Sequence, residues 1–256
     1  MAIDNRVATN QAPPLVGHNV VLADQALVEA VERHGSREVV EDLVELGAMA
    51  GSEEAREHGV LANRYEPELT PFDRYGNRID EVRFHPSWHW LMERGVGHGL
   101  QAAPWVSDSP HAHVRRAAGF MAWSHTESGH GCPISMTYAA VPALRVDDAI
   151  AKEWTPLLAS TSYDFGVRAV KEKRGALAGM GMTEKQGGSD VRTNVTEARP
   201  TSVDGEYTLH GHKWFTSAPM NDVFLVLAQA PGGITCFLVP RVLPDGTRNR
   251  LDVMRL

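Results

Sequence analysis

The spacing of apolar residues changes once along this chain, near residue 175, and that change decides most of what it can become. From about residue 22 to 170 apolar positions recur every three or four residues, the period of a helix with one buried face. After about 175 they alternate, the period of a strand. Helices gathered in one stretch and strands in the next predict an α+β fold. The 256 residues suffice for one large domain or two modest ones. The expected division is a helical domain over 1–172 and a β-rich domain over 173–256.

The first stretch carries its own boundaries. ADQALVEAVERHG puts Leu27, Val28 and Val31 on one face and stops at Gly35. SREVVEDLVELGAMAG repeats the pattern with Val39, Val40, Leu43 and Val44. Ser52 before Glu53 and Glu54 offers an N-cap with acids in the first turn, where the helix dipole favours them. EPELTPFDRYGNRIDEVRFHP, with three prolines and a Tyr-Gly-Asn turn, reads as an irregular connection. Helical spacing returns in SWHWLMERGVGHGL, HVRRAAGFMAWSHTES and DDAIAKEWTPLLAS.

In the second stretch, VTEARPTSVDGEYTLHGHKWF predicts two strands around Asp204-Gly205, a pair suited to a hairpin turn. DVFLVLAQAPGGITCFLVP predicts two more, joined at Pro231-Gly232-Gly233, apolar enough to be covered on both faces. An Asp-Gly turn at 245–246 leads to RLDVMRL, which alternates like a strand. The expected domain is small and antiparallel. A probable last strand ending the sequence leaves an unpaired edge, so the chain reads as a fragment cut at Leu256.

Composition narrows the function. No run of about 18 apolar residues spans a membrane, and MAIDNRVATNQAPPLVGHN lacks the basic-then-apolar order of a signal peptide. Two cysteines, Cys132 and Cys236, make no disulfide framework, so a reduced, cytoplasmic setting is expected. A formal charge of −7 argues against a general nucleic-acid surface. His111, His113, His125, His130 and Cys132 cluster in sequence, yet none has an established zinc spacing, so no metal is expected. No P-loop is present, and GMGMTE lacks the third glycine and helix of a dinucleotide fingerprint.

The polar turn between the two regimes, GMTEKQGGSDVRTN (181–194), remains to be explained. By itself a Gly-Gly-Ser-Asp turn is a plain loop, and a lone Trp in a strand is core packing. Two ordered motifs carry more. Thr183-Glu184 through Gly187-Gly188-Ser189-Asp190 resembles the flavin signature of acyl-CoA dehydrogenases, Thr-Glu followed by Pro-Gly-Ala-Gly-Ser-Asp. GHKWFTS, Gly211 to Ser217, resembles that family's Gly-x-Lys-x-Trp-x-Thr/Ser motif. RFHPSWHWLM, GCPISMTYAAVP and FLVPRVLPDGTRN are similar to the AidB-like, adaptive-response branch. The resemblance covers essentially the whole chain. Lys185-Gln186 stand where the general signature has Pro-Gly, and the AidB-like branch carries Lys-Gln there.

The resemblance implies an all-helical N-terminal domain, a small β-barrel-like middle domain, and a C-terminal helical bundle that this chain lacks. It implies FAD, an acyl-CoA or related substrate and a homo-oligomer, a tetramer in the family. Thr183 would meet the pyrimidine edge of the flavin, and Met180, Gly181 and Met182 would line that edge through the backbone. Gly187 and Gly188 would let the main chain approach, with Ser189 offering a hydroxyl to phosphate. Trp214 would stack on the ring, Phe215 would flank it, and Thr216 would meet the nitrogen that receives hydride. Glu184 reads as a turn-stabilising acid rather than a base. The family's base, a carboxylate of the bundle, is expected beyond residue 256, so no catalytic residue is assigned. GCPISMTYAAVPAL (131–144) is either pocket lining or ordinary packing. Two functions stand open: acyl thioester α,β-dehydrogenation, and a stress flavoprotein whose nucleic-acid surface belongs to the missing part.

Overall fold

The structure is a computed structural model that describes residues 11–256. The signal-peptide reading rests partly on residues 1–10, outside the described residues. Helices α1 (Val20–Ala23), α2 (Gln25–His34), α3 (Arg37–Asp42), α4 (Val44–Ala50) and α5 (Glu53–Arg64) open the chain. The expected caps are present: Gly35 closes α2 with its amide on the Val31 carbonyl at 2.8 Å, and the Ser52 hydroxyl accepts from the Ala55 amide at 3.1 Å. Asp24 adds a cap that the sequence reading did not name, accepting from the Leu27 amide at 3.0 Å. One expected helix is two: fully buried Leu43 closes α3 with a bond from its amide to the Val40 carbonyl, and α4 restarts after it.

The stretch expected to be irregular is a hairpin. Strands β1 (Glu68–Phe72) and β2 (Arg78–Arg83) pair antiparallel, with an irregularity between Thr70 and Phe72. The turn is built by Asp73, which accepts from the amides of Tyr75 and Asn77. Helices α6 (Pro86–Gly97), α7 (Ala112–Ser124), α8 (Gly131–Leu144) and α9 (Asp148–Leu158) follow. The apolar faces of α6, α7 and the start of α8 meet α1 to α4 in a core that holds Leu43, Leu46, Leu91, Met92, Trp123 and Ile134. Each such side chain contributes roughly 1.5–3 kcal/mol by leaving water.

The second part is a five-stranded sheet of β3 (Ala178–Gly181), β4 (Glu197–Pro200), β5 (Tyr207–His210), β6 (Val223–Ala230) and β7 (Gly233–Pro240). Both expected hairpins form, β4 with β5 and β6 with β7, and Gly205 takes the positive φ of 77° that its turn requires. The sheet is mixed rather than purely antiparallel, because β3 and β4 lie parallel to β6. β6 is largely buried on both faces as expected, whereas β7 is half-buried, with Ile234, Thr235 and Cys236 exposed. RLDVMRL is not a strand. It runs extended against the β1–β2 hairpin, held by Asp80, whose carboxylate is fully buried. Asp80 accepts from Arg78 Nε, from Arg248 and from the Val253 amide.

The two parts share a core. Ala140, Val141 and Leu144 of α8 and Trp154 and Leu158 of α9 pack on Ala178, Val223 and Leu225. The Thr137 hydroxyl of α8 accepts from the Ala178 amide at 3.0 Å, so a helix completes the first hydrogen bond of β3. Gly179 has no side chain because a Cβ there would stand 2.4 Å from the buried Phe224 ring. The helical layer thus fixes the strand from which the polar turn departs.

Candidate functional site

The turn that follows β3 is tied down by one acid. Glu184 is buried, and its carboxylate accepts from the amides of Val195 (2.8 Å) and Thr196 (3.0 Å), from the Thr196 hydroxyl and from Lys213 Nζ (2.9 Å). Gln186 Nε2 donates to the same carboxylate at 2.6 Å. Burial opposes ionisation of Glu184, but the Thr196 hydroxyl, the Val195 amide and the Lys213 ammonium outweigh it and hold the carboxyl well below the usual range. A carboxylate so depressed and so fully bonded is a poor proton acceptor. Glu184 organises the turn.

The second motif closes onto the first. The Trp214 amide donates to the Thr183 carbonyl at 2.9 Å, so residues 31 apart in sequence lie side by side. Asn194 Nδ2 donates to the Met182 carbonyl at 2.9 Å, fixing the far end of the turn. The structure therefore brings Gly181, Met182, Thr183, Gly187, Gly188 and Ser189 together with Trp214, Phe215 and Thr216. Met180 and Met182 also pack against the shared core beneath. The two glycines differ. A Cβ on Gly188 would press within 3.1 Å of the Thr183 hydroxyl, while Gly187 has room for one.

The surface so made leaves binding capacity open. The amides of Gly188 and Ser189 have no partner among the described residues. The Thr193 hydroxyl donates to the Asp190 carbonyl and the buried Thr196 hydroxyl to Glu184, whereas those of Thr183, Ser189 and Thr216 bond to no described residue. Trp214 is 41% and Phe215 83% exposed, with ring centroids 5.6 Å apart. Phe215 and Ala218 hold positive φ angles of 54° and 53°, a backbone strain of order 1 kcal/mol or more for each. An aromatic platform beside free amides and hydroxyls fits a ligand with a flat ring and an anionic tail. FAD is such a ligand.

A cavity of about 280 Å³ lies beside the segment that follows Thr216, with Leu256 also in its lining. Val82, Phe84 and Trp88 form one wall, Ser217 to Met220 the other, and Cys132 and Pro133 of α8 close one end. The start of α8 is thus pocket lining, and the rest is packing against the shared core. Among the described residues, no Asp or Glu lines this cavity. His130, at the start of α8, is buried, with Nδ1 2.9 Å from Glu127.

Residues 10–165 match the family described as "Adaptive response protein AidB N-terminal domain". The chain belongs to the AidB family. Residues 179–253 match "Acyl-CoA dehydrogenase, middle domain". AidB of Escherichia coli (strain K12) is 47% identical over 249 residues, which are 96% of this chain and 46% of that protein. Among solved structures, Bd2924 in its apo form superposes with a TM-score of 0.82 at 27% identity, over 97% of this chain and 51% of that one. Caenorhabditis elegans ACDH-11, solved in complex with C11-CoA, gives 0.80 at 26% identity, over 100% and 46%. This AidB-family chain spans about half the length of these relatives. No helix among its described residues is long and apolar enough to cross a membrane.

Three contributors to the site were not legible in its sequence. Lys213, Thr196 and Asn194 reach Glu184 and the turn from 12 to 29 residues away. Lys213 lies inside the GHKWFTS motif, and that was the available signal.

Proposed function

We propose that this chain supplies the N-terminal (1–172) and middle (173–256) domains of an FAD-dependent, acyl-CoA dehydrogenase-type oxidoreductase. The observation that carries the reading is the bond from the Trp214 amide to the Thr183 carbonyl, which makes one surface of both motifs. Thr183 and Thr216 would hold the flavin edge, Trp214 and Phe215 its ring, and the amides and hydroxyl around Gly188 and Ser189 its phosphates. Met180, Gly181, Met182 and Gly187 would shape the backbone floor. When bound, FAD would accept hydride from the β carbon of an acyl thioester.

The chain's own residues then bind, orient and exclude water. The apolar cavity between Trp88 and Met220 would receive the acyl portion, and the resemblance to ACDH-11, solved with C11-CoA, supports an acyl-CoA ligand. The α-proton acceptor is not among the cavity residues, and Glu184 is locked. A carboxylate beyond residue 256 is therefore part of the proposal, as are a homo-oligomer and a cytoplasmic setting. A stress flavoprotein with a nucleic-acid surface outside these residues is the second reading, favoured by the family description "Adaptive response protein".

The test is anaerobic mixing of the purified full-length protein with acyl-CoA thioesters of graded length. Bleaching of bound flavin with formation of the enoyl thioester is the expected result. Protein that carries no flavin, even after incubation with FAD, sinks the first reading and the second together. Flavin that acyl-CoA never bleaches sinks only the first.

A further inference from the structure

The two residues that depart from the general flavin signature, Lys185 and Gln186, make contacts that the Pro-Gly pair cannot. The Lys185 amide donates to His212 Nε2 at 3.3 Å, and proline has no amide hydrogen. Lys185 Nζ stands 5.1 Å from the centroid of the Trp214 ring, within cation–π range. Gln186 Nε2 donates to the Glu184 carboxylate at 2.6 Å and to the Thr193 carbonyl at 3.3 Å, and glycine has no side chain to do either.

We infer that Lys185 is a positioning residue for the cofactor surface, fixing the Trp214 ring in its stacking orientation, with Gln186 bracing the turn beneath it. The inference rests on the flavin reading above and deepens it. A ring that is 41% exposed loses rotational freedom on binding a flat ligand. An ammonium that already holds the ring lowers that cost. The backbone contact matters as much: His212 precedes Lys213 and Trp214, so the Lys185 amide ties the turn to the segment after β5 that carries the platform. Lys185 therefore grips that segment twice, once through its backbone and once through its side chain.

The test is a double-mutant cycle on FAD binding by the full-length protein, with Lys185→Gln and Trp214→Ala alone and combined. An exposed cation–π contact is worth a two- to five-fold change in affinity. Lys185→Gln should weaken FAD binding by that factor, and Lys185→Arg should restore it. In the Trp214→Ala background, Lys185→Gln should change nothing further. The pair Lys185→Pro with Gln186→Gly should weaken binding more than Lys185→Gln does.

A readout without cofactor comes from the emission of Trp214, taken as the difference between parent and Trp214→Phe protein. That difference spectrum should change in Lys185→Gln and be kept in Lys185→Arg. Undiminished loss of affinity in the Trp214→Ala background would mean that the ammonium acts on the cofactor's charge directly, and the inference would be overturned. So would unchanged affinity in Lys185→Gln. If Trp214→Ala itself leaves FAD affinity untouched, the flavin surface was misassigned. If Trp214→Ala weakens binding and Lys185→Gln does not, only the positioning role fails.

Discussion

Replacing Glu184 by glutamine removes a charge and turns one acceptor oxygen into a donor in the middle of the turn. Five donors converge on the two oxygens: two amides, one hydroxyl, one ammonium and one side-chain amide. Whichever way the new amide is oriented, at least two donors then face an NH₂ group. An unsatisfied buried donor costs about 1–3 kcal/mol. Breaking a buried ion pair from one side costs about 3–5 kcal/mol, and the side chain of Lys213 is only 11% exposed. The two routes describe the same loss, so the expected destabilisation is about 3–4 kcal/mol. At a urea dependence of about 2–3 kcal/mol/M, the unfolding midpoint should fall by roughly 1–2 M. Acid adds a second check. The Glu184 carboxyl is held in the folded chain well below the ordinary glutamate value of 4.5. Its stabilisation is thus complete above pH about 4.5 and drains away as the pH falls toward the lower folded value. The parent should lose stability steeply below pH 4.5, and Glu184→Gln should lose less over the same window. A variant within about 1 kcal/mol of the parent, with an identical acid limb, would refute the anchoring role.

Other outcomes follow from the same reasoning. Glu127, whose burial is outweighed by bonds from the His130 ring and amide and the Gly129 amide, is held at about 2 against an ordinary 4.5. The difference corresponds to about 3 kcal/mol at most. Glu127→Gln should therefore lower the melting temperature at pH 7, with the gap to the parent closing between pH 4.5 and 2. Trp214→Ala in the full-length protein should reduce FAD retention several-fold and alter the flavin absorption envelope, since a stacked aromatic pair is worth on the order of 1 kcal/mol. Unchanged flavin content after purification would place Trp214 elsewhere. Gly179→Ala should cost about 1–3 kcal/mol by pressing on Phe224, and urea unfolding reads it directly.

What the sequence revealed, and what it hid, follows from the range of the interactions. α2 was legible from its apolar period and closing glycine, and α5 from its cap and first-turn acids, all within a dozen residues. The β4–β5 and β6–β7 hairpins were legible for the same reason, each turn standing between its own strands. The β1–β2 hairpin was hidden by Pro67 and Pro71, which argue against strands, and by a turn made from the Asp73 side chain rather than an Asn-Gly pair. RLDVMRL alternates like a strand, yet its partners are the side chains of Arg78 and Asp80, more than 170 residues away. At the site, the two motifs were visible as motifs. The role of Glu184 in the turn was foreseen. Of the donors that give it that role, Val195 and Thr196 belong to no local pattern, and Lys213 sits in the second motif, which does not state that it reaches Glu184. The parallel pairing of β3 with β6 was invisible because nothing in four small residues, Ala-Gly-Met-Gly, states a strand direction.

The clasp at Asp80 also sets a timetable for the chain's birth. Asp80 leaves the ribosome about 170 residues before Arg248 and Val253, the groups that neutralise and cover it. At synthesis rates of about 5–20 residues per second, the hairpin waits on the order of 10–30 seconds for its closing segment. During that interval its carboxylate has only Arg78 beside it and stays in water, so the hairpin cannot settle into its final burial. Asp80 itself stands at a φ of 45°, a backbone state that persists only when neighbours enforce it. The helical layer can pack early, because its contacts are with helices already made. The wall that carries Val82 and Phe84, and with it the cavity, comes to rest only when residues 248–253 arrive. In this protein the pocket is among the last things to fold, although most of its lining is made first.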